Sequence, residues 1–217
     1  MMFTALRVAA QKFSGTLNFQ LGFPQGEYKV VNGKTGVGMR FNLLYKPSLQ
    51  APVSMGLELG LMTIGNRTSR FSSSVYGFYD EYVLNATNNV FSALLNVRIS
   101  PLKPGSAIMP FADASFGWND FFSTVTVSRD TYYNDNGSQS NSSKARWANT
   151  YGAGAGLDIR LNKRGTLYLE LKTSYLVGNK TKYLTDPTIY NDGSITFAEK
   201  QSETDLLIPQ AGIHFNF

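Results

Sequence analysis

Along most of this chain, apolar and polar residues alternate with a period of two. In residues 13–23 the odd positions read Phe, Gly, Leu, Phe, Leu, Phe, and the even positions read Ser, Thr, Asn, Gln, Gly. Such alternation is typical of a β-strand with one apolar face. It recurs along the chain and predicts eight strands, at residues 13–23, 35–45, 53–63, 90–100, 110–119, 150–161, 166–177 and 206–217. Their length, roughly ten residues, is what a tilted transmembrane strand requires.

The connectors between these strands alternate between short and long. Those after the second, fourth and sixth strands are short and built on turn-forming residues, as in Pro47-Ser48 and residues 101–105. Those after the odd strands are longer and rich in Asn, Ser, Thr, Gly and Tyr, as in residues 134–143. This alternation predicts an all-β fold, an eight-stranded antiparallel up-and-down transmembrane β-barrel with short periplasmic turns and long extracellular loops. We expect one barrel domain over residues 12–217.

Composition narrows the class of protein further. Of the 217 residues, 16% are charged, below the roughly 25% usual in soluble domains. No segment approaches the ~20 consecutive apolar residues of a transmembrane helix, which favours a closed barrel as the membrane-spanning structure. The absence of cysteine excludes disulfides, thiolate metal sites and a cysteine nucleophile. Residues 1–11 are interpreted as a signal-peptide remnant or an N-terminal extension, because Val8-Ala9-Ala10 resembles the end of a signal peptide.

Charge is confined to one face of the predicted strands. The apolar faces carry no Asp, Glu, Lys or Arg, whereas the opposite faces carry four cations and four anions: Arg40, Glu58, Arg98, Asp113, Asp158, Arg160, Glu170 and Lys172. A narrow lumen must balance its charges, because an unpaired buried ion costs several kcal/mol. The balance therefore favours a charge network inside the barrel. The alternative is a soluble, lipocalin-like barrel with an apolar, ligand-binding interior and charges outside.

Aromatic residues cluster at the ends of the apolar faces. With odd strands running outward, Phe23, Phe91, Trp118, Tyr151 and Tyr175 fall near the outer rim, and Phe13 and Tyr45 fall near the periplasmic rim. Amphipathic rings are favoured at both membrane interfaces. The sequence therefore predicts two aromatic girdles.

The C-terminal spacing Gln210-x-Gly212-x-x-Phe215-x-Phe217 resembles the β-signal of outer-membrane proteins. The whole chain resembles the small eight-stranded outer-membrane barrels of the OmpA transmembrane domain and OmpX type. Through residues 24–28 and 43–47 it is most similar to the outer membrane protein beta-barrel domain family of Bacteroidota. The resemblance implies an integral protein of the bacterial outer membrane, inserted by the barrel assembly machinery.

The sequence offers few candidate residues for catalysis or for metal binding. The single histidine, His214, lies on the inward face near the periplasmic end, and Asp158 and Glu170 have Arg160 and Lys172 beside them. These carboxylates are interpreted as part of a charge network, not as an acid–base pair or a metal site. We expect no catalytic, cofactor-binding or metal-binding residues. The basic excess is spread along the chain, which argues against nucleic-acid binding. The basic residues that lie in the outer loops favour contact with anionic lipid and lipopolysaccharide.

Three functional hypotheses follow. The first is a non-enzymatic barrel whose lumen is plugged by side chains. Such a barrel has a structural role, binds other molecules through its Tyr-rich extracellular loops, or serves as an accessory subunit of a larger outer-membrane complex. The second is a narrow passive channel for small ions or solutes. The third is the soluble ligand-binding barrel.

Overall fold

The computed structural model describes residues 13–31, 33–48, 51–75, 78–101, 106–130, 138–142, 146–189 and 195–217, so the predicted segment 1–11 lies outside the described residues. The barrel strands are β1 (Phe13–Pro24), β2 (Gly36–Tyr45), β3 (Val53–Val75), β4 (Phe78–Ile99), β5 (Ile108–Asp130), β7 (Arg146–Arg160), β8 (Leu167–Gly178) and β11 (Leu206–Asn216). Three further strands lie between them, β6 (Ser138–Ser142), β9 (Thr181–Ile189) and β10 (Ile195–Ser202). A short helix, α1 (Gly26–Val31), follows β1.

The eight barrel strands form a closed antiparallel sheet, which confirms the predicted fold. β1 pairs with β2 on one side and with β11 on the other. In one direction from Asn18, the register partners are Arg40, Gly60, Ser92 and finally Asn119. In the other direction they are Gly212, Glu170, Asp158 and finally Met109. Met109 and Asn119 both belong to β5 and are ten residues apart, and this stagger inclines the strands by about 40° to the barrel axis.

Three of the barrel strands are much longer than the pattern predicts. β3 and β5 have 23 residues and β4 has 22, so a large part of the predicted extracellular loops is paired sheet. After a register shift between Thr63 and Asn66, β3 remains paired with β4 up to the pair Val75 and Phe78. The long connections of the predicted topology thus contain paired strand that the pattern did not assign. Backbone pairing therefore continues where the alternation of apolar and polar residues no longer applies.

The other outer connections also contain structure that the pattern did not predict. β6 pairs with β5 inside the predicted loop 134–143, and β9 pairs with β10 between β8 and β11. No helix in the described ranges is long and apolar enough to cross a membrane.

The outer face of the barrel is an apolar belt. Its large exposed side chains come from many strands and include Phe19, Met39, Leu61, Leu95, Val97, Phe116, Leu157 and Leu171. A continuous apolar surface of this extent is not found on monomeric proteins in water, but it matches the hydrocarbon of a bilayer. The structure thus has the apolar face outside and the charged face inside, opposite to the lipocalin-like arrangement.

The lumen near the extracellular end is filled by an apolar plug. The plug consists of inward side chains from six strands together with one residue of α1: Tyr28, Met62, Ile64, Val90, Leu94, Phe121, Ala148, Leu176, Leu206 and Ile208. The Tyr28 ring meets the Phe121 ring edge-on with centroids 5.9 Å apart. The inward face is thus apolar at this end, and residues 206–208 are apolar on both faces of β11.

Close packing in the plug depends on glycine. A Cβ on Gly22 would lie 2.2 Å from Met62 Sδ, and a Cβ on Gly36 would lie 2.8 Å from Ile64 Cγ1. These distances are shorter than van der Waals contact, so the missing side chains of β1 and β2 make the space that Met62 and Ile64 fill. The outer end of the lumen is therefore packed like a protein core.

Removal of the Tyr28 side chain should weaken the packing of α1 against this plug. Truncation of a buried aromatic residue costs about 3 kcal/mol or more, so we expect Tyr28→Ala to lower amide-exchange protection in α1 by roughly 100-fold. Hydrogen–deuterium exchange on the detergent-solubilised barrel measures this. Val30→Ala, on the same helix but 88% exposed, is the matched control and should leave protection unchanged. Equal protection in wild type and Tyr28→Ala would contradict the role assigned to Tyr28.

Candidate functional site

The middle of the lumen, below the apolar plug, contains a cluster of buried charges. Seven charged side chains from six strands are each no more than 4% exposed: Arg40, Glu58, Arg98, Asp113, Asp158, Glu170 and Lys172. His214 of β11 joins them at 6% exposure. We call these eight side chains the lumen cluster. They face inward because the strands place alternate residues on the lumen side. The inward members have even numbers, except Asp113 in β5.

Lys172 connects two carboxylates on one side of the cluster. Its Nζ lies 2.7 Å from Glu58 Oε2 and 2.7 Å from Asp113 Oδ2. Glu58 also forms a salt bridge with Arg40, its neighbour across the β2–β3 hairpin. The chain of contacts Arg40–Glu58–Lys172–Asp113 therefore crosses the lumen from β2 to β5.

Arg98 connects the other carboxylates. Its Nε and Nη2 donate to the two oxygens of Asp113 at 2.9 and 3.1 Å, and its Nη1 donates to Glu170 Oε2 at 2.6 Å. The guanidinium also stacks on the Phe111 ring, 3.6 Å from the centroid. Bidentate geometry of this kind gives the strongest arginine–carboxylate pairs.

Neutral amides form further hydrogen bonds with these ions. Gln20 Oε1 accepts from Arg40 Nε at 2.8 Å, and Asn18 Nδ2 donates to Glu170 Oε1 at 2.7 Å. Asn96 Nδ2 donates to Glu58 Oε2 at 3.3 Å. Additional hydrogen bonds lower the cost of burying an ion pair, and polar residues of β1 and β4 supply them to Arg40, Glu58 and Glu170.

The positions of Arg160 and His214 differ from expectation. Arg160, predicted as part of the network, is exposed; it is the last residue of β7, opposite Tyr168. His214, interpreted from the sequence only as a lumen residue, is within 2.8 Å of Asp158 Oδ2 through Nδ1. The period-two pattern could place His214 on the inward face, but it could not assign it a partner.

The predicted girdle residues lie on the outer surface. Trp118 and Tyr151 are more than half exposed, Tyr175, Phe13 and Tyr45 are also exposed, and Phe23 and Phe91 are half-buried. The rings of Phe13 and Tyr45 contact each other, with centroids 5.1 Å apart, across β1 and β2 near the periplasmic end.

The residues of the predicted assembly signal divide between the two faces of β11. Phe215 and Phe217 point outward and are exposed, whereas Gln210 is buried in the lumen. Gly212 lies against β1, where a Cβ would come within 2.0 Å of Leu17 O and 2.3 Å of Asn18 Oδ1. A glycine at this position is thus required for the close approach of the strands that close the barrel.

Solved structures with this architecture have low sequence identity to the chain. Neisserial surface protein A has 10% identity and a TM-score of 0.51, with 95% of this chain and 97% of that chain covered. The outer membrane protein OprG from Pseudomonas aeruginosa has 14% identity and a TM-score of 0.50, with 94% and 95% covered. This chain has the fold of a small outer-membrane β-barrel. No family model and no curated protein matches it, so the likeness extends to the fold alone and the Bacteroidota family remains a prediction.

The lumen cluster predicts a large effect for loss of Arg98. Arg98→Gln leaves Asp113 and Glu170 without their shared cation, and breaking a buried ion pair from one side costs about 3–5 kcal/mol. We expect the free energy of unfolding, measured by urea titration in lipid vesicles, to fall by that amount.

Arg160→Gln is the matched control for this experiment. It removes the same type of side chain from the same face of the barrel, but at an exposed position, and should change the free energy of unfolding by less than about 1 kcal/mol. Equal effects of the two substitutions would contradict the distinction between the buried Arg98 and the exposed Arg160.

Proposed function

We propose that this protein is a non-enzymatic integral barrel of the bacterial outer membrane that supports an extracellular binding surface. The observation that carries the proposal is the filled lumen, with an apolar plug at the outer end and a matched set of ions below it. The described side chains of both layers are almost completely buried, which favours a closed lumen. The barrel then acts as a rigid support, and binding takes place on the parts that extend beyond the membrane.

The extracellular part is suited to binding because it is paired sheet. β3, β4 and β5 continue well past the girdle, and β6 adds a strand to β5. Residues 66–89 are rich in Tyr, Ser and Asn, a composition that combines rigid aromatic contact area with adaptable hydrogen bonding. A preorganised surface loses little conformational entropy when it binds. We therefore propose a surface-binding role or a role as accessory subunit of a larger outer-membrane complex.

Shortening the β3–β4 extension tests this proposal. Replacing residues 66–87 with an Asn-Gly turn removes the extension and leaves the apolar belt intact, so the barrel should still show heat-modifiable migration on gels. We expect a protein or polysaccharide partner to co-purify with the wild type from native outer membrane in mild detergent and to be lost from the shortened variant. The same co-purifying material in both samples, or none in either, would refute a role for the extension.

A passive channel is the competing function, and planar-bilayer recording separates the two. We expect no steady conductance from the wild-type barrel, because the apolar plug and the lumen cluster occupy its cross-section. A steady wild-type conductance that disappears when Arg40 and Glu58 are replaced would refute the plugged barrel in favour of a channel.

Contact with lipopolysaccharide is proposed for the outer rim. Lys29, Lys34, Lys180 and Lys182 are exposed near the extracellular mouth, where each cation close to an anionic surface contributes about 1 kcal/mol of attraction. These lysines would hold the barrel among anionic headgroups while the apolar belt contacts the acyl chains.

Recognition by the barrel assembly machinery is proposed for the C-terminal strand. Phe217 is 59% exposed and its backbone N–H donates to Phe13 O at 3.1 Å, so the ring is accessible while the backbone closes the barrel. We expect Phe217→Ala to reduce the amount of folded barrel in the outer membrane severalfold, with refolding into detergent unchanged. Phe217→Tyr, which keeps the ring, is the control. Unchanged membrane levels for Phe217→Ala would contradict the assembly signal.

A further inference from the structure

We infer that Asp158, Glu170 and His214 form a binding site for one divalent transition-metal ion, such as Zn²⁺, inside the periplasmic half of the barrel. The three residues come from the adjacent strands β7, β8 and β11, and Asp158 is the register partner of Glu170. One ligand atom of each residue lies within 4.8 Å of the other two. All three side chains are more than nine-tenths buried. This inference does not depend on the proposed function.

Unsatisfied polar atoms at these residues point to a missing ligand. Asp158 Oδ1 and His214 Nε2 are both shut off from solvent, and neither has a hydrogen-bond partner. Asn18 Oδ1 is a third such atom, on the amide that donates to Glu170 Oε1 at 2.7 Å. A buried polar atom without a partner costs about 1–3 kcal/mol. Asp158 Oδ1 is the one of these three that a cation held between Asp158 and Glu170 would satisfy.

The distribution of charge also leaves room for a cation at Asp158. Three carboxylates of the cluster, Glu58, Asp113 and Glu170, each have a lysine or arginine nitrogen at hydrogen-bond distance. Asp158 is the fourth, and its nearest such nitrogen in the described part of the chain is Arg98 Nη1 at 3.9 Å. Arg98 is held by both oxygens of Asp113 and by Glu170 Oε2. It therefore cannot move to Asp158 without breaking stronger contacts.

The chemistry of the ligand atoms selects the class of metal. One imidazole nitrogen with two carboxylates suits borderline divalent ions such as Zn²⁺, whereas Mg²⁺ and Ca²⁺ prefer oxygen ligands only. Ligand atoms around a tetrahedral zinc ion lie about 3.4 Å apart, so the three side chains would need to move together by about 1 Å. Rotation of the Asn18 amide could bring its free Oδ1 to the same ion, since its nitrogen and oxygen are interchangeable in shape.

Zinc titration of the folded barrel tests this site. We use protein folded in detergent, treated with EDTA and dialysed, and measure Zn²⁺ binding by isothermal titration calorimetry with metal content determined after dialysis. We expect one Zn²⁺ per barrel, no displacement by excess Mg²⁺, and a higher unfolding temperature with Zn²⁺. Asp158→Asn and His214→Gln should each weaken binding tenfold or more.

Glu27→Gln is the control for adventitious surface binding, because Glu27 is an exposed carboxylate in α1, and it should bind Zn²⁺ like the wild type. Heat-modifiable migration shows that each variant is folded, and a variant that fails this check is replaced by Glu170→Gln. Absence of Zn²⁺ binding by the wild type would overturn the inference. Wild-type affinity in folded Asp158→Asn and His214→Gln would also overturn it, because the ion would then bind elsewhere.

Discussion

Arg98 forms the contacts on which the organisation of the lumen depends. Its guanidinium is bonded to Asp113 on β5 and to Glu170 on β8, so a single side chain joins the walls of the barrel across its interior. Lys172 makes a second connection, between Asp113 and Glu58. In a medium of low dielectric constant these ions must be matched at contact distance. The positions of seven charged residues on six strands are therefore coupled, and a register slip in any of these strands would separate several pairs at once.

The face of the strand on which each charged residue lies could be predicted from the sequence, but its height along the barrel axis could not. Alternation with a period of two correctly assigned Arg40, Glu58 and Asp113 to the inward face, because the pleat of a strand allows only two directions. Arg160 has the same parity as Asp158 and nevertheless lies in water. Whether an inward residue is buried depends on the stagger of ten residues around the barrel, which is a property of all eight strands together. The partner of His214 could not be predicted from the sequence for the same reason.

The apolar plug and the strand extensions were missed for a different reason. Pattern analysis assumes that one face of a strand meets lipid and that the other meets a polar lumen. At the outer end of β11 both faces are apolar, since Leu206 and Ile208 enter the plug on one face and Leu207 lies on the other. The extension of β3 and β4 lies beyond the residues in which the alternation is found. The alternation therefore fails at both places while the backbone pairing continues. Failure of the alternation marks a change in what surrounds the strand, not the end of the strand.

The order of the two layers in the lumen has an electrostatic consequence. Ion pairs at a protein surface are screened by salt over about 10 Å, but buried pairs are screened much less. The apolar plug, covered by Tyr28, separates the lumen cluster from the extracellular medium, so variation in external salt or divalent cations does not reach Arg98 or Lys172 from that side. His214 and Asp158 lie on the periplasmic side of the cluster and are buried as well. The interior is thus electrostatically insulated from the surface that meets the environment, and the extracellular sheet can change its interactions while the barrel that holds it keeps one structure.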